Sequence, residues 1–155
     1  MSTISVIIPA YNVENYIARC INSLFNQECS VDYSVIIVDD GSVDRTSDII
    51  QEYVRKYPRI IRYVYKENGG QSSARNTGLE HSESDYVIFV DSDDYVEPDY
   101  IQSLYRLVID TDSDVAMCAM NRVSGDDGKG NRFDSGFSED FVTDDIDGIL
   151  LNRNA

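Results

Sequence analysis

The sequence predicts an α/β fold, a mostly parallel, doubly wound sheet flanked by helices. Short β-branched runs recur along residues 4–118. Several are apolar throughout, without alternation, as strands covered on both faces are. The stretches between them repeat apolar residues at i, i+3, i+4, the period of a helix with one buried face.

The first run is Ile4-Ser5-Val6-Ile7-Ile8. A helix follows, marked by Val13, Ile17, Cys20, Ile21, Leu24 and Phe25, with Asn12 as its expected N-cap. The second strand, Ser34-Val35-Ile36-Ile37-Val38, leads through the turn Gly41-Ser42 to a helix carrying Ile49, Ile50, Tyr53 and Val54. The third is Ile60-Ile61-Arg62-Tyr63-Val64-Tyr65, and the helix after it covers about 72–80, weakened by Gly78. The fourth, Tyr86-Val87-Ile88-Phe89-Val90, precedes a helix that opens with Pro98 and shows Ile101, Leu104, Tyr105 and Val108 on one face. A fifth strand is expected at Asp114-Val115-Ala116-Met117-Cys118. Repeated alternation of strand and helix makes the sheet parallel. Ligands of such sheets sit beyond the carboxyl ends of the strands, where strand order reverses.

Beyond Asn121 the character changes. Gly125, Gly128, Gly130, Gly136 and Gly148 fall there, and Asp126-Asp127-Gly128-Lys129-Gly130 reads as a hairpin tip. Ile146, Ile149 and Leu150 begin an amphipathic helix with no stop signal before Ala155, as in a domain cut short. Two parts are expected: an α/β half over 1–120 and the start of a second region over 121–155.

At 155 residues the chain suits one domain, and its 42% hydrophobic content supplies a core and excludes wholesale disorder. With 28 Asp+Glu against 13 Lys+Arg the net charge is -15, which argues against nucleic acid or anionic membrane as main partner. Cys20, Cys29 and Cys118 are widely spaced with no CxxC, so buried free thiols in a reducing compartment are expected. There is no basic segment followed by an apolar one at the N-terminus, and no apolar run near the roughly 20 residues that cross a bilayer. A soluble, cytoplasmic chain is the expectation.

Chemistry gathers at the predicted strand ends. The first strand ends in Pro9-Ala10-Tyr11-Asn12, the second in Asp39-Asp40-Gly41-Ser42, the fourth in Asp91-Ser92-Asp93-Asp94. Two strands thus bring carboxylate clusters to one rim, where acids repel unless a cation or hydrogen-bond donor compensates. Asp91 and Asp93 are two apart, so in extended backbone they share a face and can approach a hard ion, Mn²⁺ or Mg²⁺. No His or Cys stands beside them, which disfavours zinc. Asp and Gly form turns on their own; in a site, one acid of Asp39-Asp40 would accept from a ring N–H of a base while the other fixes the turn. The loop Asn68-Gly69-Gly70 runs into a helix N-terminus at Gln71-Ser72-Ser73-Ala74-Arg75, where amides and dipole favour a diphosphate. Arg75 could add charge there, or make an ordinary surface ion pair.

Four segments stand in a telling order: Val6-Ile7-Ile8-Pro9-Ala10-Tyr11-Asn12; Ile37-Val38-Asp39-Asp40-Gly41-Ser42-Val43-Asp44-Arg45-Thr46; Asn68-Gly69-Gly70 with Ala74-Arg75-Asn76-Thr77-Gly78; and Phe89-Val90-Asp91-Ser92-Asp93-Asp94. Together they resemble the family 2 inverting glycosyltransferases of the GT-A, Rossmann-like fold, over roughly 5–120, that family's nucleotide-sugar-binding half. The resemblance implies transfer of a sugar from a nucleoside diphosphate, most often a UDP-sugar, to a hydroxyl of a carbohydrate or lipid-linked acceptor, with inversion. Residue by residue, it implies that Pro9, Ala10 and Tyr11 line the base and ribose pocket. Asp40 would hydrogen-bond the uracil ring with Asp39 in support, and Gly70 and Arg75 would flank the donor. Asp91 and Ser92 would face ribose or metal, and Asp93 would bind the Mn²⁺ or Mg²⁺ that bridges the phosphates. With the acidic charge, no nucleic acid partner is expected, and the site is expected in the cytoplasm with at most peripheral contact at the inner face of the cell membrane.

In that family a carboxylate downstream of the D-x-D deprotonates the acceptor. Nothing before Met120 fits it, and Asp140, Asp144 and Asp145 lack the surrounding motif, so no catalytic base is assigned. The stretch 121–155 is then the start of the acceptor side. A non-catalytic nucleotide-sugar binder is the main alternative. A D-x-D phosphotransferase fits less well, because its motif follows the first strand with Thr or Val where Tyr95 stands. A receiver module needs its acid pair after the first strand and a late Lys, and has neither here. His81 reads as a capping or surface residue, and most of the 11 tyrosines as packing residues with a polar tip.

Overall fold

A computed structural model describes residues 3–118 and the backbone of 120–123 and 130–133. The elements are β1 (Ile4–Ala10), α1 (Ile17–Phe25), β2 (Tyr33–Asp39), α2 (Thr46–Lys56), β3 (Ile61–Tyr65), α3 (Gln71–Glu80), β4 (Tyr86–Phe89), α4 (Tyr100–Thr111), β5 (Met120–Val123) and β6 (Gly130–Phe133). The main sheet has order β3-β2-β1-β4 with all neighbours parallel.

Both faces of the sheet are covered. Ile4, Val6, Ile8 and Ala10 of β1 join Ile17, Ile21 and Leu24 of α1, Ile50 of α2 and Ile101 of α4 in one core. Ile7, with Ile36, Val38 and Val87, packs on the other face against Ala74 of α3. Alternate residues of one strand therefore enter two cores, so the run is apolar throughout. Each fully buried Ile contributes about 1.5–3 kcal/mol over its exposed state. Ser5 is the polar exception in β1, and its hydroxyl donates to Ser84 Oγ at 2.9 Å.

Several expectations are corrected. Residues 114–118 form no strand: only Ala116 is buried, while Met117 and Cys118 are exposed, so too little is buried there to hold a pairing. The next strand is β5, which pairs antiparallel with β6, Met120 opposite Phe133 and Val123 opposite Gly130. These strands flank the expected hairpin tip, whose residues 124–129 lie outside the described residues, as does the helix expected from Ile146. Asn12 is not an N-cap; α1 begins after Tyr16, and Asn12 has φ 52° and bonds a neighbouring loop instead. Pro98 lies ahead of α4, which is entered through Asp99. The thiols are free, but Cys29 is half-buried and Cys118 exposed; only Cys20 is buried. His81 closes α3, its N–H donating to the Thr77 and Gly78 carbonyls.

Gly78 supports the fold instead of weakening it. It is buried, and a Cβ there would lie 2.3 Å from Ile7 Cγ2, so its bare backbone is what lets α3 press on β1. Helix propensity alone would favour Ala by about 1 kcal/mol, but overpacking costs about 1–3 kcal/mol. Gly78→Ala is therefore expected to lower stability by up to about 2 kcal/mol net in urea unfolding; a variant stabilised by the full helix-propensity gain of about 1 kcal/mol would refute the contact.

Candidate functional site at the carboxyl rim

Strand order places the site. β1 lies between β2 and β4, and the chain, having built outward through β2 and β3, returns to β1's other side with β4. This reversal opens a crevice at the carboxyl ends of β1 and β4. Thr3 and Ile7 carbonyls accept from Tyr86 and Val90 N–H groups, so odd residues of β1 face β4. Pro9 is next in that series and has no N–H, which stops the ladder. Pro9 and Ala10 are buried and form the floor, while Tyr11 stands up from it, 49% exposed.

The loops after β1 and β2 are stitched together. Asn12 N–H donates to Ser42 Oγ (3.0 Å) and its Oδ1 accepts from Val43 N–H (2.9 Å). Val13 N–H donates to Thr46 Oγ1 (2.8 Å). Glu14 N–H donates to Asp44 Oδ2 (3.1 Å), and Glu14 Oε2 accepts from Arg45 N–H (3.0 Å).

The two acids ending β2 are both buried but differently used. Asp39 fixes the turn: Oδ1 accepts from Ser42 N–H (2.9 Å) and Oδ2 from the Tyr63 hydroxyl (2.8 Å). Asp40 holds the loop before α3. Its Oδ1 accepts from Lys66 Nζ (2.5 Å) and Gly69 N–H (3.0 Å), and its Oδ2 from Gly70 N–H (2.7 Å). Burial pushes the Asp40 carboxyl up, but the Lys66 ammonium and the two amides outweigh it and hold it below the ordinary 3.8.

Across the crevice, Asp91 accepts on one oxygen, Oδ1, from Arg75 Nη2 (2.7 Å) and Gln71 Nε2 (3.1 Å), both from α3. Arg75 also lies over the Phe89 ring, 5.7 Å from its centre. Ser92 is buried; Asp93 and Asp94 are exposed. The Asp94 carboxyl, though exposed at its surface, is raised by partial loss of hydration first and then by Asp93 and Asp91. Burial, then Asp94, Asp93 and Asp91, push the Cys20 thiol up to about 12, so it stays protonated at neutral pH. Among the described residues no three His, Cys, Asp or Glu side chains converge as a metal cage. Asp91 and Asp93 offer two carboxylates, a set suited to Mg²⁺ or Mn²⁺ that completes its shell with water and phosphate oxygens. The fold thus brings Pro9, Ala10, Tyr11, Asp39, Asp40, Gly70, Arg75, Asp91, Ser92 and Asp93 to one rim. Lys66, Tyr63 and Gln71 are parts of it that sequence reasoning did not find; a cation directly after a strand was the available signal for Lys66.

The model of Glycosyl transferase family 2 matches residues 5–149. The chain is 42% identical over 114 residues to the glycosyltransferase GlyA of Streptococcus pneumoniae, covering 74% of this chain and 16% of that protein. It is 35% identical over 126 residues to the poly(ribitol-phosphate) beta-N-acetylglucosaminyltransferase TarS of Staphylococcus aureus, 81% of this chain and 22% of that one. The crystal structure of TarS 1–349 in complex with UDP-GlcNAc superposes with TM-score 0.72 at 34% identity, over 88% of this chain and 38% of that one. The mannosyltransferase PcManGT of Pyrobaculum calidifontis, in complex with GDP-Man and Mn²⁺, aligns with TM-score 0.56 at 26% identity, over 61% of this chain and 28% of that one.

Because the folded carboxyl of Asp40 titrates below its ordinary value, its stabilisation is complete above about pH 4 and fades as pH falls through the lower, folded value. Asp40→Asn is expected to lose about 1–3 kcal/mol at pH 7 and distinctly less near pH 3. Urea midpoints at both pH values check this, and a loss independent of pH would count against the charged clasp.

Proposed function

Since the chain belongs to Glycosyl transferase family 2, we propose that it forms the donor half of an inverting, metal-dependent glycosyltransferase that uses a UDP-sugar. The observation that carries this reading is the meeting of two carboxylate clusters and the start of α3 at the sheet's reversal point. Its likeness to TarS bound to UDP-GlcNAc supports uracil as the base.

In this reading Tyr11, exposed above Pro9 and Ala10, packs on the base, and Asp40 accepts its ring N–H, with Asp39 holding the turn. The diphosphate lies along the start of α3, where Gly70 and Arg75 meet it; helix amides and a guanidinium suit phosphate oxygens. Asp91 and Ser92 face the ribose, and Asp91 and Asp93 would hold Mn²⁺ or Mg²⁺. When bound, that ion supplies charge neutralisation to the departing diphosphate. Arg75 contributes in the same sense from the protein, as a fixed cation beside the leaving group. The likeness to PcManGT in complex with GDP-Man and Mn²⁺ supports a metal here.

Inversion requires the acceptor hydroxyl to attack opposite the leaving group and to lose its proton to a base. We assign that base to the acceptor side, which starts within 121–155; Asp140, Asp144 and Asp145 lie outside the described residues. The acceptor is a carbohydrate or lipid-linked hydroxyl, a reading that the similarity to a poly(ribitol-phosphate) transferase supports. No described helix is long and apolar enough to cross a membrane. As part of the same reading, we place the reaction in the cytoplasm, with at most peripheral contact at the inner membrane face.

Titration calorimetry with UDP tests the reading. Affinity is expected to fall about tenfold or more on chelation, and Asp93→Asn to abolish that difference. Equal affinity with and without metal would sink the roles given to Asp91 and Asp93.

A further inference from the structure

We propose that Lys66 is a positioning residue of the donor site, acting through Asp40 to hold the Asn68-Gly69-Gly70 loop and the start of α3 in register with Asp91. This rests on the donor reading above and adds a residue to it. The Asp40 side chain is 3% exposed and that of Lys66 20%, so the pair is largely shut off from water. The Lys66 ammonium donates to Asp40 Oδ1 at 2.5 Å and to the Glu67 carbonyl at 2.6 Å, folding the chain back on itself at the end of β3. A Cβ on Gly69 would lie 2.8 Å from Lys66 Nζ, so the glycine clears the space that the ammonium occupies.

The connection continues from there. Asp40 accepts the Gly69 and Gly70 N–H groups, and its carbonyl accepts Asn68 Nδ2 at 3.0 Å. The Gly70 carbonyl then accepts Ala74 N–H at 3.1 Å, the first hydrogen bond of α3. From the next two turns Gln71 and Arg75 reach Asp91 Oδ1. One unbroken set of contacts thus joins the acid assigned to the base with the acid assigned to the metal. Lys66 is the cation at the head of that set.

The charged surroundings of Asp40 are simple. Lys66 faces it from β3, the loop before α3 presents amides, and Asp39 beside it is engaged by Ser42 and Tyr63. With Lys66 removed, a sealed carboxyl keeps only those amides and takes up a proton more easily. The protonated form would no longer accept Gly69 and Gly70 together, and the loop would loosen.

The test uses the full chain and two readouts. Amide resonances of Gly69 and Gly70, followed without ligand from pH 5 to 8, are expected to stay fixed in the parent. In Lys66→Met they should move together as pH falls; Lys66→Arg should restore the fixed positions, and Lys66→Met with Asp40→Asn should not titrate. UDP affinity by calorimetry should vary less than about twofold over pH 5.5–8 in the parent and fall by more than that toward pH 5.5 in Lys66→Met, as the carboxyl takes up its proton. Resonances in Lys66→Met that overlay the parent's at every pH would overturn the proposal. If the amides behave as expected but the parent does not bind UDP, the donor reading fails and Lys66 remains the loop's clasp. Should Lys66→Met not fold, Lys66→Gln carries the same measurements, and an unfolded Gln variant assigns Lys66 to the fold alone and overturns the proposal.

Discussion

A carboxylate buried at the end of a central strand imposes a condition on everything around it. Taking such a charge out of water costs several kcal/mol unless cations and hydrogen-bond donors replace the lost hydration. At Asp40 the replacement comes from Lys66, Gly69 and Gly70, three residues that arrive from β3 and the loop after it. Satisfying this charge therefore determines how the chain leaves β3, where α3 begins and which of its side chains can reach β4. Removing one partner would leave the buried charge under-compensated, so the parts of the rim depend on one another.

The same dependence explains how much of the molecule was legible in its sequence. The parallel sheet was, because Ile4–Ala10 and Tyr33–Asp39 feed two cores at once and so lack alternation. The acid clusters were legible too, since a strand's end follows from the strand itself. What could not be read were partners chosen in three dimensions. Asn12 has the chemistry of a cap, but Ser42 and Val43 are brought beside it by the parallel pairing of β1 with β2. Gly78 looks like a poor helix residue until Ile7 is placed against it. Residues 114–118 are apolar enough for a strand, yet with Ala116 alone buried they lack the burial that holds one.

The charge balance can now be argued locally. A net charge of -15 repels a diphosphate at long range, but at physiological salt that field decays over about 8 Å, and the rim is organised on a shorter scale than that. Two of its acids, Asp39 and Asp40, are buried and bonded, and Asp40 is neutralised by Lys66, so the β2 side presents little free negative charge. On the β4 side Arg75 and Gln71 both bind Asp91 through Oδ1, and its other oxygen has no protein partner among the described residues. On the proposed reading, that arrangement would leave one carboxylate oxygen, with Asp93 close behind in sequence, for a cation, and the guanidinium and the start of α3 beside it for phosphate. In the donor reading proposed above, negative charge would thus be kept where a divalent ion could use it and compensated where it would oppose the donor. Burial separates the acids: Asp39 and Asp40 are sealed and bonded to the loops around them, whereas Asp91 is half-buried and Asp93 exposed.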